Sequence, residues 1–128
     1  MKTGYIDVRG RWGVILCHDL RRLDEYEMRQ SMMAFGMRGQ ELDEAVDVLL
    51  FNENTGMCVS RDDVRMSLVY IGRATSEEQF WDTVVHELYH VASCICDYYD
   101  VEAGTEDFAW TMGYLTREAV GQLGEPCL

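Results

Sequence analysis

The chain has 128 residues, a formal net charge of −12 and a hydrophobic fraction of 48%. Its length and apolar content predict one globular domain, residues 1–128, with enough apolar side chains to bury a core. The negative charge disfavours binding to nucleic acid, whose phosphates would repel the protein, and binding to an anionic membrane surface.

The first part of the chain carries two extended and two helical patterns. Residues 4–9 and 12–17 favour two short strands joined by a turn at Gly10-Arg11. Apolar residues at helical spacing then predict helices over residues 20–35 and about 40–49.

The second part carries two further strands and two long helices. Short strands are predicted at 57–60 and 64–71, and the apolar residues on both faces of the latter indicate cover on both sides. A capping-box pattern at residues 76–79 begins a helix that should run to about Tyr99. Helical spacing returns over 106–123. The pattern predicts an α+β fold, with a small antiparallel or mixed sheet packed against the last two helices.

The pattern H-E-x-x-H lies at His86-Glu87-Leu88-Tyr89-His90, on the first of these long helices. On a helix, His86 and His90 lie one turn apart on the same face and can hold one Zn²⁺ from the same side. Glu87 lies beside them, where it can hold a metal-bound water and accept its proton. The neighbouring residues are mostly apolar, which predicts a largely buried helix whose polar side chains a metal would satisfy.

A third zinc ligand is expected, because catalytic zinc commonly has three protein ligands and one open position. Several acids follow the motif: Asp97, Asp100, Glu102, Glu106 and Asp107. Asp97 is about two turns beyond His90 on the same helix, which is too far along the axis. A reversal near residues 100–105 would return the next helix antiparallel, so Glu102 and Glu106 could both face the site. Glu106 is the first candidate and Glu102 the second; if Glu102 is the ligand, Glu106 could accept a histidine N–H.

The stretch Ser67–Leu115 resembles small HExxH metallopeptidase-like proteins of the gluzincin type, which bacteria and their phages or mobile elements encode. The matching features are the strand SLVYIG, the Thr-Val-Val before the motif and the downstream Glu-Asp-Phe-Ala-Trp. The resemblance implies a minimal zincin-like domain. It also implies that the glutamate of an E-x-x-A-aromatic segment, here Glu106, is the third zinc ligand. The first 60 residues resemble no family.

The expected function is zinc-dependent hydrolysis of peptide bonds. Zn²⁺ held by His86, His90 and Glu106 would lower the pKa of its water and polarise a substrate carbonyl. Glu87 would act as general base and then pass the proton to the leaving amine.

The elements that would align a substrate or stabilise an oxyanion are less clearly indicated by the sequence than the zinc ligands and the base. The strand at 64–71 precedes the motif helix and could align an extended peptide by strand addition. The tetrahedral oxyanion needs a further donor, for which Tyr98, Tyr99 and Tyr114 are available.

Two other functions are compatible with the sequence. One is a zincin-like, zinc-binding regulatory or interaction domain with little or no proteolytic activity, which the small size favours. The other is a metal-free interaction domain. A peptide or protein is the expected partner, and no oligomeric state is indicated.

The expected compartment is the cytoplasm. The five cysteines fit neither a disulfide nor a zinc-knuckle framework, and free thiols suit a reducing environment. No run reaches the roughly 18 apolar residues of a membrane span. The first residues lack the apolar centre of a secretion signal, although export by a route that the sequence does not show stays open.

Overall fold

The computed structural model describes all 128 residues. The strands are β1 (Lys2–Val8), β2 (Trp12–His18), β3 (Gly56–Arg61) and β4 (Met66–Ile71). The helices are α1 (Glu25–Ala34), α2 (Gly39–Phe51), α3 (Glu77–Tyr98) and α4 (Glu106–Leu123). The predicted α+β class is confirmed. No helix has both the length and the apolar character that crossing a bilayer requires.

The four strands form one mixed sheet in the order β1-β2-β4-β3. The outer pairs, β1 with β2 and β3 with β4, are antiparallel. The central pair, β2 with β4, is parallel, with Leu16 opposite Val69. The edges of the sheet are therefore β1 and β3, and β4 lies inside it.

One face of the sheet packs against α3 and α4. Side chains alternate between the two faces of a strand, so Val14 and Leu16 of β2 share this face with Val69 and Ile71 of β4. They pack with Leu88 of α3 in a fully buried cluster. This packing holds the long motif helix against the sheet.

The other face is covered by α1 and α2, which makes the fold a three-layer arrangement. Leu68 and Tyr70 of β4 point to this side and pack with Met28, Met32 and Val46. The prediction that the 64–71 strand is covered on both sides is confirmed. The predicted packing of the sheet against α3 and α4 is present, and a second core, which was not predicted, lies beneath α1 and α2.

Three element boundaries differ from the sequence predictions. The helix predicted from residue 20 begins at Glu25, after a 3-10 turn at Arg22–Asp24. The strand predicted from residue 64 begins at Met66, because residues 62–65 form the β3–β4 turn. The β1–β2 turn contains Arg9 and Gly10, both with positive φ, within a three-residue connection that joins the paired residues Val8 and Trp12.

Candidate functional site

Helix α3 carries the H-E-x-x-H motif across its middle. The helix begins after Ser76, whose hydroxyl accepts a hydrogen bond from the backbone N–H of Gln79 at 3.1 Å. This is the N-cap that the sequence predicted. Its apolar stripe, which includes Val84 and Leu88, is buried against the sheet. The motif is therefore held on a helix whose back is fixed in the core.

The two histidines lie on the solvent side of α3. The side chain of His86 is 66% exposed, and His90 is also exposed. The sequence predicted a largely buried helix, but Val85 and Tyr89 are exposed too, and the buried stripe covers only part of the helix surface. Solvent can satisfy the imidazoles, so burial alone does not call for a metal.

The two imidazoles nevertheless converge. Their Nε2 atoms are 3.3 Å apart, with ring planes at 74°. In a tetrahedral zinc site with Zn–N bonds of about 2.0–2.1 Å, two ligand nitrogens lie about 3.3–3.4 Å apart. A hydrogen bond between two neutral imidazoles has a similar length. The spacing suits two ligands of one zinc ion and also suits the metal-free pair.

Glu87 is the buried member of the motif. It is 6% exposed, and one carboxylate oxygen lies 3.9 Å from Nε2 of His86. Burial raises the pKa of this carboxyl, while His86 and His90 act in the opposite direction. A base whose pKa lies above its ordinary value holds an abstracted proton more readily, as general-base chemistry near neutral pH needs.

Gly56 brings β3 close to the motif helix. A Cβ atom at this position would lie 2.8 Å from Cγ2 of Thr83 and 2.9 Å from Cγ of Glu87. Such distances are shorter than van der Waals contact, so only glycine permits this approach. The start of β3 therefore packs directly on the stem of the candidate base.

A groove of about 420 Å³ runs between β3 and α3. Cys58 and Ser60 line its β3 side, and Glu87, His90 and Asp97 line its α3 side. His90 and Asp97 therefore lie on the same side of α3. The contribution of β3 was missed, although Gly56 before an alternating segment was a signal for a close backbone approach.

The edge strand beside the groove is β3. The sequence interpretation gave this role to the 64–71 strand, but β4 is hydrogen-bonded on both sides, to β2 and to β3. It has no free edge for an added strand. Only β3 combines a free edge with a position next to the motif.

Cys58 and Cys94 face each other across the groove, but the Cys58 thiol is not poised as a metal ligand. Burial, with smaller contributions from Cys94 and Glu87, raises its pKa to about 12. The thiolate is the form that binds metal. At neutral pH the Cys58 thiol stays protonated, so it lines the groove as an uncharged side chain.

Glu106 lies away from the two histidines. It is the first residue of α4 and lines a different cavity, with Ile95, Cys96 and Tyr99 near the end of α3. These residues are five to nine positions beyond His90, which is about 7–14 Å along the helix axis. The chain reverses over only seven residues between α3 and α4, so the first turn of α4 meets the last turns of α3.

No group of three or more His, Cys, Asp or Glu side chains is positioned to hold a metal ion. Glu102, the second candidate ligand, is exposed in the loop between α3 and α4. The structure thus brings together His86, Glu87 and His90 but not a third protein ligand.

The candidate oxyanion donors are occupied elsewhere. The hydroxyl of Tyr99 donates to the backbone carbonyl of Arg11 at 2.8 Å, and that of Tyr114 donates to the carbonyl of Asp7 at 2.7 Å. The ring of Tyr98 packs edge-on against Trp12. None of these tyrosines lines the groove.

No protein-family model, no curated protein and no solved structure matches the chain.

Proposed function

We propose that the chain is a metal-dependent peptide hydrolase whose site is the groove between β3 and α3. The convergence of the His86 and His90 Nε2 atoms to 3.3 Å, beside a buried glutamate, carries this proposal. When bound there, zinc would act as a Lewis acid toward the scissile carbonyl and the attacking water.

Glu87 would do the proton transfer. Its carboxylate would accept a proton from the attacking water and then deliver it to the leaving amine nitrogen, which restores the carboxylate. Burial favours the protonated form of Glu87, so the proton can stay on the side chain between the two transfers.

Strand β3 would align the substrate. Its outer edge has free backbone N–H and C=O groups, and an extended peptide can pair with them as a fifth strand. The peptide backbone would then run past Glu87 and His90, with alternate side chains directed toward and away from the groove. This assigns to β3 the role that the sequence interpretation gave to β4.

Metal content and Glu87→Gln test the proposal. Purified protein should bind about one Zn²⁺ per chain in equilibrium dialysis, and His86→Ala and His90→Ala should each abolish this binding. Glu87→Gln should keep the metal and lower the hydrolysis of a fluorescent peptide library by roughly 10²–10⁴-fold, the usual contribution of a general base. Glu78→Gln, an exposed glutamate in the first turn of the same helix, is the matched control.

A zinc-binding regulatory domain is the second candidate. The observation that favours it is the lack of a third protein ligand beside two exposed histidines, which leaves room for a partner protein to complete the metal site. In that case Zn²⁺ binds, no peptide in the library is cleaved, and Glu87→Gln changes nothing. A protein that binds no Zn²⁺ contradicts both candidates.

Glu106 is still the predicted third ligand, but from its position in the structure it can bind the metal only if α4 moves. Phe108 of the first turn of α4 already packs on Tyr89, next to His90. To reach the histidines, this turn would have to rotate so that Glu106 leaves the cavity at Ile95. If it does, Glu106→Gln should weaken zinc binding by more than tenfold, and Asp107→Asn should not. Equal zinc affinity in wild type and Glu106→Gln would remove Glu106 from the ligand set.

A further inference from the structure

A second cavity lies on a different side of α3 from the groove. It has a volume of about 400 Å³ and is bounded by the β1–β2 hairpin, the end of α3 and the start of α4. Its floor is buried and largely apolar, formed by Val8, Ile95 and Cys96. The size falls in the range of small-molecule sites, and an apolar floor with a few polar groups at the rim is their usual composition.

Four charged side chains stand around this floor. Arg9 and Arg11 extend from the hairpin, and Glu106 and Asp107 from the first turn of α4. None of the four takes part in an ion pair, although opposite charges line the same cavity. Two positive and two negative groups are therefore held apart, each available to a ligand.

Packing contacts fix the position of the hairpin beside α4. The guanidinium of Arg9 lies 3.8 Å from the centre of the Trp110 ring, and Trp110 is stacked on Tyr114. The Tyr99 hydroxyl holds the carbonyl of Arg11 at 2.8 Å. The acids lie at the positive end of α4, which stabilises their charge in place. The cavity is thus preorganised, which lowers the entropic cost of binding.

We propose that this cavity binds short apolar peptides with free termini. The peptide carboxylate would pair with Arg9 and Arg11, its ammonium group with Glu106 and Asp107, and its side chains would cover the apolar floor. A ligand with two opposite charges satisfies both walls at once, whereas a simple anion or cation would meet like charge on one wall. The cavity shares no lining residue with the groove, so a ligand can occupy it while the groove stays open; only Glu106 belongs both to this cavity and to the candidate zinc ligands.

Capped and uncapped forms of one dipeptide test the proposal. The full-length Glu87→Gln variant is titrated with L-leucyl-L-leucine, and binding is followed by calorimetry and by intrinsic tryptophan fluorescence, since Trp110 lines the cavity. The N-acetyl and C-amide forms each lack one terminal charge. Each should bind roughly fivefold to tenfold more weakly, the loss typical of a charge-assisted hydrogen bond at a partly exposed site.

Substitutions in the cavity test which side chain pairs with each terminal charge of the dipeptide. Arg11→Gln should lower the affinity for the free dipeptide but have little effect on the affinity for the C-amide form, which lacks the carboxylate. Asp107→Asn should lower the affinity for the free dipeptide but have little effect on the affinity for the N-acetyl form, which lacks the ammonium group. Asp47→Asn, an exposed acid on α2, is the control and should leave all affinities unchanged.

Three results would overturn the proposal. They are the absence of binding at millimolar dipeptide, equal affinity for free and capped forms, and equal affinity for free leucine and the dipeptide. None of them bears on zinc binding or cleavage in the groove, so the two proposals fail separately.

Discussion

At the residue scale, the candidate site combines three side chains in two different environments. His86 is 66% exposed while its neighbour Glu87 is 6% exposed, because successive helix positions differ by about 100° around the axis. The base is shielded by Gly56 and β3, and the histidines stay open to solvent. The motif thus places its carboxylate against the protein and its imidazoles toward the outside.

His18, at the end of β2, gives a pH prediction. It is buried, and burial lowers its pKa; Lys2 and the N-terminal ammonium group lower it further, and Asp19 opposes them. The folded protein therefore binds this proton less readily than the unfolded chain, whose histidine has its ordinary pKa of 6.5. Stability contributed by neutral His18 is present above that pH and is lost as the pH falls below it.

We expect the free energy of unfolding to decrease as the pH is lowered from about 7 to about 5, and His18→Gln to remove part of this decrease. Urea denaturation at a series of pH values, with a chelator present, measures it. Leu23→Gln, at an exposed position without a titratable side chain, is the control and should retain the wild-type slope. An unchanged slope in His18→Gln would show that His18 does not contribute.

The identity of the motif residues was readable from sequence, but their environment was not. H-E-x-x-H places two histidines on one face of a helix whether that face is buried or exposed, and the apolar neighbours predicted a largely buried helix. Val85 and Tyr89 are 45% and 49% exposed, so part of the apolar sequence lies at the surface. A single sequence does not distinguish an apolar residue in the core from one in an exposed position.

At the element scale, the contact between β3 and α3 forms the groove. Strand β3 turns alternate side chains toward α3 and toward α2, so Cys58 lies on the groove side and Met57 and Val59 pack in the opposite core. Gly56 sets how closely the two elements approach at one end. The width of the groove therefore depends on a residue without a side chain.

Gly56→Ala should destabilise the protein by about 1–3 kcal/mol, as overpacking a tight contact usually does. The added methyl group would meet Thr83, Glu87 and the backbone carbonyl of Tyr70, and the last of these cannot rotate away. Urea denaturation measures the loss, and backbone amide shifts should change in both β3 and α3.

Gly113→Ala is the matched control. A Cβ atom at Gly113, within α4, meets nothing within 4 Å. Replacing a helix-interior glycine by alanine there should stabilise the protein by up to about 1 kcal/mol. A loss of stability in Gly113→Ala equal to that in Gly56→Ala would contradict the steric explanation.

Most elements were predictable because each carries a local signal. The Ser76 cap, the apolar stripe of α3 and the helical spacing over 106–123 depend on neighbours a few residues away. The strand order was not predictable, because the parallel pairing of β2 with β4 joins residues far apart in sequence and leaves no turn signal. That pairing makes β4 an inner strand and β3 the edge.

The same reasoning explains the position of Glu106. Its place at the start of the last helix was predicted correctly, and the boundary at Glu106 agrees with the structure. Its distance from the histidines depends on how far α4 slides along α3, which the length of the connection and the packing of Phe108 against Tyr89 decide. Helix spacing in the sequence does not contain that information.

At the scale of the whole molecule, one sheet separates two cores. The core beneath α3 and α4 contains Ile71, and the core beneath α1 and α2 contains Leu42. The two clusters share no buried residue, because the side chains of β2 and β4 alternate between them. The candidate groove and the second cavity both border the α3 side.

Substitutions in the two cores should be additive. Ile71→Val is expected to cost about 0.5–1.5 kcal/mol and Leu42→Ala about 2–5 kcal/mol. The double variant should lose the sum to within about 0.5 kcal/mol, because the sites have no common partner. Denaturant unfolding of the four proteins measures the coupling, and a larger coupling energy would mean that the sheet transmits strain between its faces.

The parallel pairing of β2 with β4 also orders the events of folding in time. The β1–β2 and β3–β4 hairpins need only short-range contacts, whereas Trp12 and Ser67, which are hydrogen-bonded across the central pair, are 55 residues apart. Closing a loop of that length costs about 3.5 kcal/mol of chain entropy, which must be lost before the contacts between β2 and β4 can form and offset it. The two hairpins therefore form early and join late, and the joining of β2 to β4 limits the rate at which the sheet is completed.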